Sequence, residues 1–156
     1  MLATAKGAIW SCFERGLAKI STTGTPAIQV FGVADGLPHE NMHAVCEDSQ
    51  GRIWTGGEIP RVAVGTGNGK FATFPLKNVP EAASIRALFC DGDRIWVGGS
   101  FGLIRLNANA PDQQTWFTAK DGLADNWVYT IVPGAGGTLW IGNAQRVHSF
   151  PRRHVG

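Results

Sequence analysis

Residues 39 to 43 read His39-Glu40-Asn41-Met42-His43, the H-E-x-x-H string of zinc proteases. That chemistry needs a helix, in which histidines at i and i+4 stand one turn apart, roughly 6 Å, and share one metal. Here the string follows the turn-forming run Gly36-Leu37-Pro38 and passes into residues 42–47, which read as a strand. Extended backbone would hold the two histidines about 13 Å apart, too far for one zinc ion. No third ligand stands at a recognisable spacing and no cofactor motif is present, so no metal, cofactor or catalytic residue is assigned.

The elements around the string are set by a repeat. Asp48-Ser49-Gln50-Gly51-Arg52-Ile53-Trp54-Thr55-Gly56-Gly57 returns as Asp91-Gly92-Asp93-Arg94-Ile95-Trp96-Val97-Gly98-Gly99, and again as Gly137-Thr138-Leu139-Trp140-Ile141-Gly142. A degraded copy, Lys6-Gly7-Ala8-Ile9-Trp10-Ser11-Cys12, precedes them. Trp10, Trp54, Trp96 and Trp140 follow one another at intervals of 44, 42 and 44 residues, a period that marks a repeat architecture. Glycines and prolines cut the chain into strand-length pieces, and no stretch sustains a 3.6-residue period.

Each unit divides into four strands. The first covers residues 42–47, 85–90 or 128–132, and a glycine-bearing turn leads from it to the tryptophan strand. The third covers 17–20, 61–64, 103–106 or 147–150, and the fourth 28–31, 71–74 or 115–118. Four short antiparallel strands per repeat predict an all-β chain of β-propeller blades. The repeats run 1–35, 36–77, 78–121 and 122–156, the last truncated. About three and a half blades, against the 4 to 8 of closed rings, predict an incomplete propeller, either part of a longer protein or a partial ring completed by association through open blade edges.

Ile95-Trp96-Val97 and Leu139-Trp140-Ile141 are apolar at consecutive positions, as in strands covered on both faces. Trp54, Trp96 and Trp140 are therefore expected between blades, where burying roughly 200 Å² of indole contributes about 5 kcal/mol before entropy. Gly56, Gly98 and Gly142 would let the next element approach. Cys12, Cys46 and Cys90 are odd in number, fall at three different repeat slots and lack metal-ligand spacing; they read as small buried residues or free thiols, with no disulfide framework.

The register also aligns three polar residues. His43, Arg86 and Tyr129 are slot equivalents, each preceded by an apolar residue and followed by a small one. On innermost strands they either converge near the central axis as ligand donors or pack between blades against nearby carbonyls. The loops leading into those strands supply His39, Glu40 and Asn41 in one repeat and Asp125, Asn126 and Trp127 in another, either a sugar platform or solvated loop. Glu58, Ser100 and Phe101 on neighbouring connections are weaker candidates.

The units resemble the two-component regulator propeller repeat: Gly36-Leu37-Pro38, Asp48, Gly51, Ile53-Trp54 and Gly56; Ile95-Trp96-Val97-Gly98 with Gly102-Leu103-Ile104-Arg105-Leu106; Gly122-Leu123 with Leu139-Trp140-Ile141-Gly142. Cys12 stands where the pattern has glycine, and Pro60 where other repeats have Gly16 and Gly102. The resemblance implies a non-enzymatic, extracytoplasmic ligand-sensing propeller of a signalling protein, with oligosaccharides as the ligand class. It also implies an output domain and further blades outside this chain. A propeller lyase or lactonase is the alternative, set back by the lack of a carboxylate cluster at the inner slots; a protein-interaction scaffold is the third.

Composition narrows the remaining classes. A net charge of +2 and a short basic run, Arg152-Arg153-His154, do not follow a phosphate backbone, so nucleic acid is not an expected partner. No apolar run reaches membrane-helix length, and no signal-peptide pattern opens the chain.

Overall fold

The computed structural model describes residues 2–4, 6–23 and 27–152; Arg153 and His154 of the basic run lie outside them. The strands are β1 (Leu2–Ala3), β2 (Ala8–Phe13), β3 (Gly16–Ser21), β4 (Ile28–Phe31), β5 (Met42–Glu47), β6 (Ile53–Gly57), β7 (Arg61–Gly65) and β8 (Phe71–Pro75). They continue as β9 (Ile85–Asp91), β10 (Arg94–Gly99), β11 (Gly102–Asn107), β12 (Ala110–Phe117), β13 (Thr130–Pro133), β14 (Thr138–Gly142) and β15 (Val147–Pro151). In chain order they form four antiparallel meanders, β1–β4, β5–β8, β9–β12 and β13–β15. The innermost strands β5, β9 and β13 touch in succession, so the sheets stand as propeller blades in an open series.

Two blades are reached through the same turn. Asp35 and Asp121 close single 3-10 turns (Val33–Asp35 and Ala119–Asp121), their carboxylates accepting the N–H of Gly32 and Thr118 at 2.9 Å. Gly36 and Gly122 follow at φ 102° and 103°, a conformation that strains any residue with a Cβ. Leu37 and Leu123 then drop into the core.

The core lies in the seams between blades. Trp54, Val62, Ile85, Ile95 and Ile104 fill the second seam, between the second and third blades. Trp96, Phe117, Val128, Leu139 and Phe150 fill the third; Trp96 stacks on Phe117 at 5.9 Å and meets Phe150 edge-on at 6.4 Å. Trp10, Leu17, Met42, Ile53 and Phe71 form the first. A Cβ added at Gly56 would lie 2.7 Å from Ile85 Cγ2, and one at Gly98 would collide with Val128 Cγ1, so each of these glycines admits the inner strand of the next blade.

Asp48 anchors its hairpin. Its buried carboxylate accepts the indole N–H of Trp54 at 2.8 Å, Arg52 Nε at 2.6 Å and the N–H groups of Gln50 and Arg52. In the third blade the turn is one residue shorter, and the buried Trp96 indole N–H finds no acceptor among the described residues.

Three expectations are corrected. Cys46 and Cys90 form a disulfide across the second seam, with Cα atoms 5.8 Å apart, leaving Cys12 as the free thiol among the described residues. The one-slot offset between them, which argued against pairing, is what pairing requires. Cys46 lies opposite Trp54 on the face turned to the third blade, whereas Cys90 lies opposite Ile95, on the reverse face from Trp96 and turned back to the second. Second, Trp140 is 47% exposed: it faces the same way as Trp54 and Trp96, toward a side where the described residues hold no further blade. Third, the innermost strand of the fourth blade begins at Thr130, because the Val128 N–H is diverted to the Gly99 carbonyl of the preceding blade at 3.0 Å.

Candidate functional site

The upper end of the blades, where the inner strands begin, gathers most of the polar candidates. β5 pairs with β6 as Met42 with Gly57 and then Ala44 with Gly56, leaving His43 as an extra residue in the ladder. β9 repeats this on β10: Ile85 pairs with Gly99 and Ala87 with Gly98, leaving Arg86. Such a bulge re-aims its extra side chain. In the fourth blade, Tyr129 donates its N–H to Gly142 just before regular pairing begins. His43 and Arg86 thus share a bulge at the tops of adjacent inner strands, whereas Tyr129 lies just ahead of its strand.

Glu58, which follows β6, ties the second-blade residues together. Its carboxylate lies 2.8 Å from His43 Nε2 and accepts Asn41 Nδ2 at 3.4 Å, while its N–H bonds the Asn41 carbonyl at 3.1 Å. The His43 hydrogen bond is the main reason its carboxyl titrates below the ordinary glutamate range. Slight burial opposes that shift, and positive charge at His43, Arg86 and His39 adds to it. The pair is accessible, with side-chain exposures of 18% for His43 and 42% for Glu58. His39 Nδ1 accepts the Asn41 N–H at 2.9 Å, and Glu40 is exposed. The H-E-x-x-H string is therefore loop running into strand, with its two histidines in different hydrogen bonds.

In the fourth blade the leading loop holds itself. Asp125 accepts the Trp127 N–H and Asn143 Nδ2, each at 3.2 Å, and Asn126 accepts the Ala119 N–H at 3.0 Å. That bracing leaves Trp127 48% exposed, meeting Tyr129 edge-to-face at 5.8 Å. Asp125 and Asn126 are thus positioning residues, and the aromatic pair is what the loop offers to solvent.

Residues 36–58 match the family model described as two component regulator propeller. The second blade carries a two component regulator propeller repeat. No curated protein sequence matches the chain. Among solved structures, the extracellular domain of the hybrid two component system BT3049 from B. thetaiotaomicron is similar with a TM-score of 0.78 at 18% identity, over 93% of this chain and 20% of that one. PorZ, a surface component of the type-IX secretion system of Porphyromonas gingivalis, gives 0.74 at 17% identity, over 96% of this chain and 25% of that one. Virginiamycin B lyase from Staphylococcus aureus gives 0.70 at 16% identity, over 96% of this chain and 54% of that one. These likenesses establish the propeller fold, and the chain spans about a fifth of the length of the BT3049 domain.

Within the propeller, Glu58 is the residue whose importance sequence reasoning understated. Its slot, after the paired glycines Gly56-Gly57, matches Ser100 after Gly98-Gly99, and the hydroxyl of Ser100 accepts the Ser84 N–H at 3.1 Å. The slot is therefore aimed at the loop leading into its own blade. The first and second blades fill it with carboxylates, Glu14 and Glu58, where the third has a hydroxyl, a signal legible once Glu58 is aligned with Ser100.

Proposed function

We propose that this propeller segment is a non-enzymatic, extracytoplasmic ligand-sensing unit of a signalling protein, which takes a glycan at the upper end of its blades. The observation that carries this reading is the pair of matching bulges, which aims His43 and Arg86 from adjacent inner strands beside the Glu58 carboxylate. A carboxylate, imidazoles and a guanidinium offer acceptors and donors to vicinal hydroxyls, and the exposed Trp127–Tyr129 pair offers an apolar face to a sugar ring. The Cys46–Cys90 disulfide supports an oxidising compartment. Output would be supplied by a domain beyond this chain.

Adding oligosaccharide pools to the full-length protein should raise its melting temperature. Arg86→Ala and Glu58→Gln should each abolish most of that shift while leaving the unliganded melting temperature within about 1 °C, because both side chains are accessible. A shift that survives both substitutions would move the site elsewhere. No shift with any pool, together with turnover of a small molecule, would replace the sensor reading with an enzymatic one.

A further inference from the structure

The lower end of the blades, where the first hairpin of each blade turns, holds a cleft of about 460 Å³ in the first seam. It is separate from the upper-end cluster: Glu47, Arg52 and Lys70 lie at the opposite ends of their strands from His43 and Glu58. Its inner wall is aromatic. Trp10 stacks on Phe31 at 5.5 Å, and Phe31 meets Phe71 edge-on at 5.7 Å.

Four cations line this space: Lys6 and Lys19 from the first blade, Arg52 and Lys70 from the second. Arg52 is paired with Asp48, and Lys70 stands 3.6 Å from Asp35. Lys6 and Lys19 then face a single lining carboxylate, that of Glu47, so the cleft keeps a positive excess. Lys19 is not a loose surface lysine, since its ammonium sits over the Trp10 ring at 5.7 Å and is held at the cleft wall. Gly65, Gly67 and Gly69, at the turn between β7 and β8, also line the cleft.

The geometry points to a binding site for a small organic anion, with a carboxylate or phosphate met by Lys6 and Lys19 and a ring-shaped body laid against the Trp10–Phe31–Phe71 wall. Size supports a single ring-sized occupant, because ligand sites of about 300 to 1,000 Å³ hold small molecules. Lys6 and Lys19 come from the first blade and Phe71 from the second, so an occupant touching both would bridge the first seam. The site does not rest on the proposed glycan site at the other end.

Calorimetric titration of the full-length protein with D-glucuronate, phenyl phosphate, D-glucose and inorganic sulfate tests the inference. At least one ring anion should bind, about ten-fold or more tighter than glucose and than sulfate. Lys6→Gln with Lys19→Gln should weaken that binding about ten-fold, Arg86→Ala should leave it unchanged, and raising the salt from 0.05 to 0.5 M should weaken it. Glucuronate against phenyl phosphate distinguishes a sugar acid from an aromatic phosphate. Equal binding of glucose, equal binding of bare sulfate, no binding by any probe at millimolar concentration, or binding indifferent to the double lysine substitution would each overturn the site. The thermal unfolding midpoint of the double variant, expected to match the parent, separates lost binding from lost folding.

Discussion

The first and second seams are built from the same repeat, yet one holds a cleft and the other a closed, cross-linked core. In the second seam, Gly56 admits Ile85, Trp54 is fully buried, and the Cys46–Cys90 disulfide fastens the inner strands. The hairpin ends are tied as well: Ser49 donates to Asp93 at 3.3 Å and Arg52 Nη2 to Asn109 at 3.1 Å. In the first seam, Cys12 stands at the slot of Gly56, no disulfide crosses between the blades among the described residues, and the hairpin end opens into the cleft beside Trp10. A propeller needs some seams closed for stability. A seam relieved of its glycine and cross-link is free to keep space for something else.

The largest expected contrast comes from truncating the seam tryptophans. Trp54→Ala should cost about 3 to 5 kcal/mol, because it empties a fully enclosed site that cannot collapse. Trp10→Ala should cost at least about 1 kcal/mol less, since the space it vacates joins an existing cleft and leaves no new closed cavity. Trp140→Ala, at a half-exposed position, should fall below both. Chemical denaturation of the three variants in one buffer measures the order. Equal losses at positions 10 and 54 would mean the first seam is as closed as the second.

Replacing both Cys46 and Cys90 with serine comes next. Cross-linking residues separated by 44 positions constrains the unfolded chain, and its loss should cost about 2 to 4 kcal/mol. Cys12→Ser should change stability by less than about 1 kcal/mol. The native protein should also present one thiol that labels slowly, because burial pushes the Cys12 thiol up to about 11, outweighing the nearby amino-terminal charge and the Thr55 hydrogen bond. Two fast-reacting thiols in the native state would remove the cross-link from the comparison.

Much of this architecture was legible in sequence, because its period is written in residues that have one physical job. Trp54 and Trp96 fill seams, Gly56 and Gly98 admit the next strand, and Asp35-Gly36-Leu37 closes a turn; each restricts its neighbours, so the strands follow. The disulfide was misread for a geometric reason. Slot equivalence identifies residues that occupy the same place in successive blades, but a cross-blade bond joins opposite faces and therefore unlike slots. Trp140 was misjudged because periodicity describes a blade with neighbours on both sides. The upper-end slots of His43 and Arg86 were visible in the register, while the role of Glu58 depended on a bulge that no local pattern announces. Lys6, Lys19, Arg52 and Lys70 were out of reach, since they come together from four separate segments and share no spacing.

A smaller effect than loss of the disulfide is expected at Asp48, whose hairpin closes the second seam and has no acidic counterpart at Lys6-Gly7 in the first. Burial alone would push its carboxyl up, but bonds from Trp54, Arg52 and Gln50 outweigh that and hold it below the ordinary aspartate range. A carboxyl depressed in the folded state contributes stability at pH values above its unfolded value, near about 3.9, and loses it as pH falls through the folded value. The protein should therefore lose stability in acid below about pH 4. Asp48→Asn should be less stable at pH 7 by about 1 to 3 kcal/mol, because the amide cannot accept all the donors that converge there. It should also lack the acid-dependent component, so the two stability curves approach each other as pH falls. Parallel curves for parent and variant from pH 7 to pH 3 would remove Asp48 from the acid response. The second seam would then owe its closure to packing and the disulfide, without its hairpin.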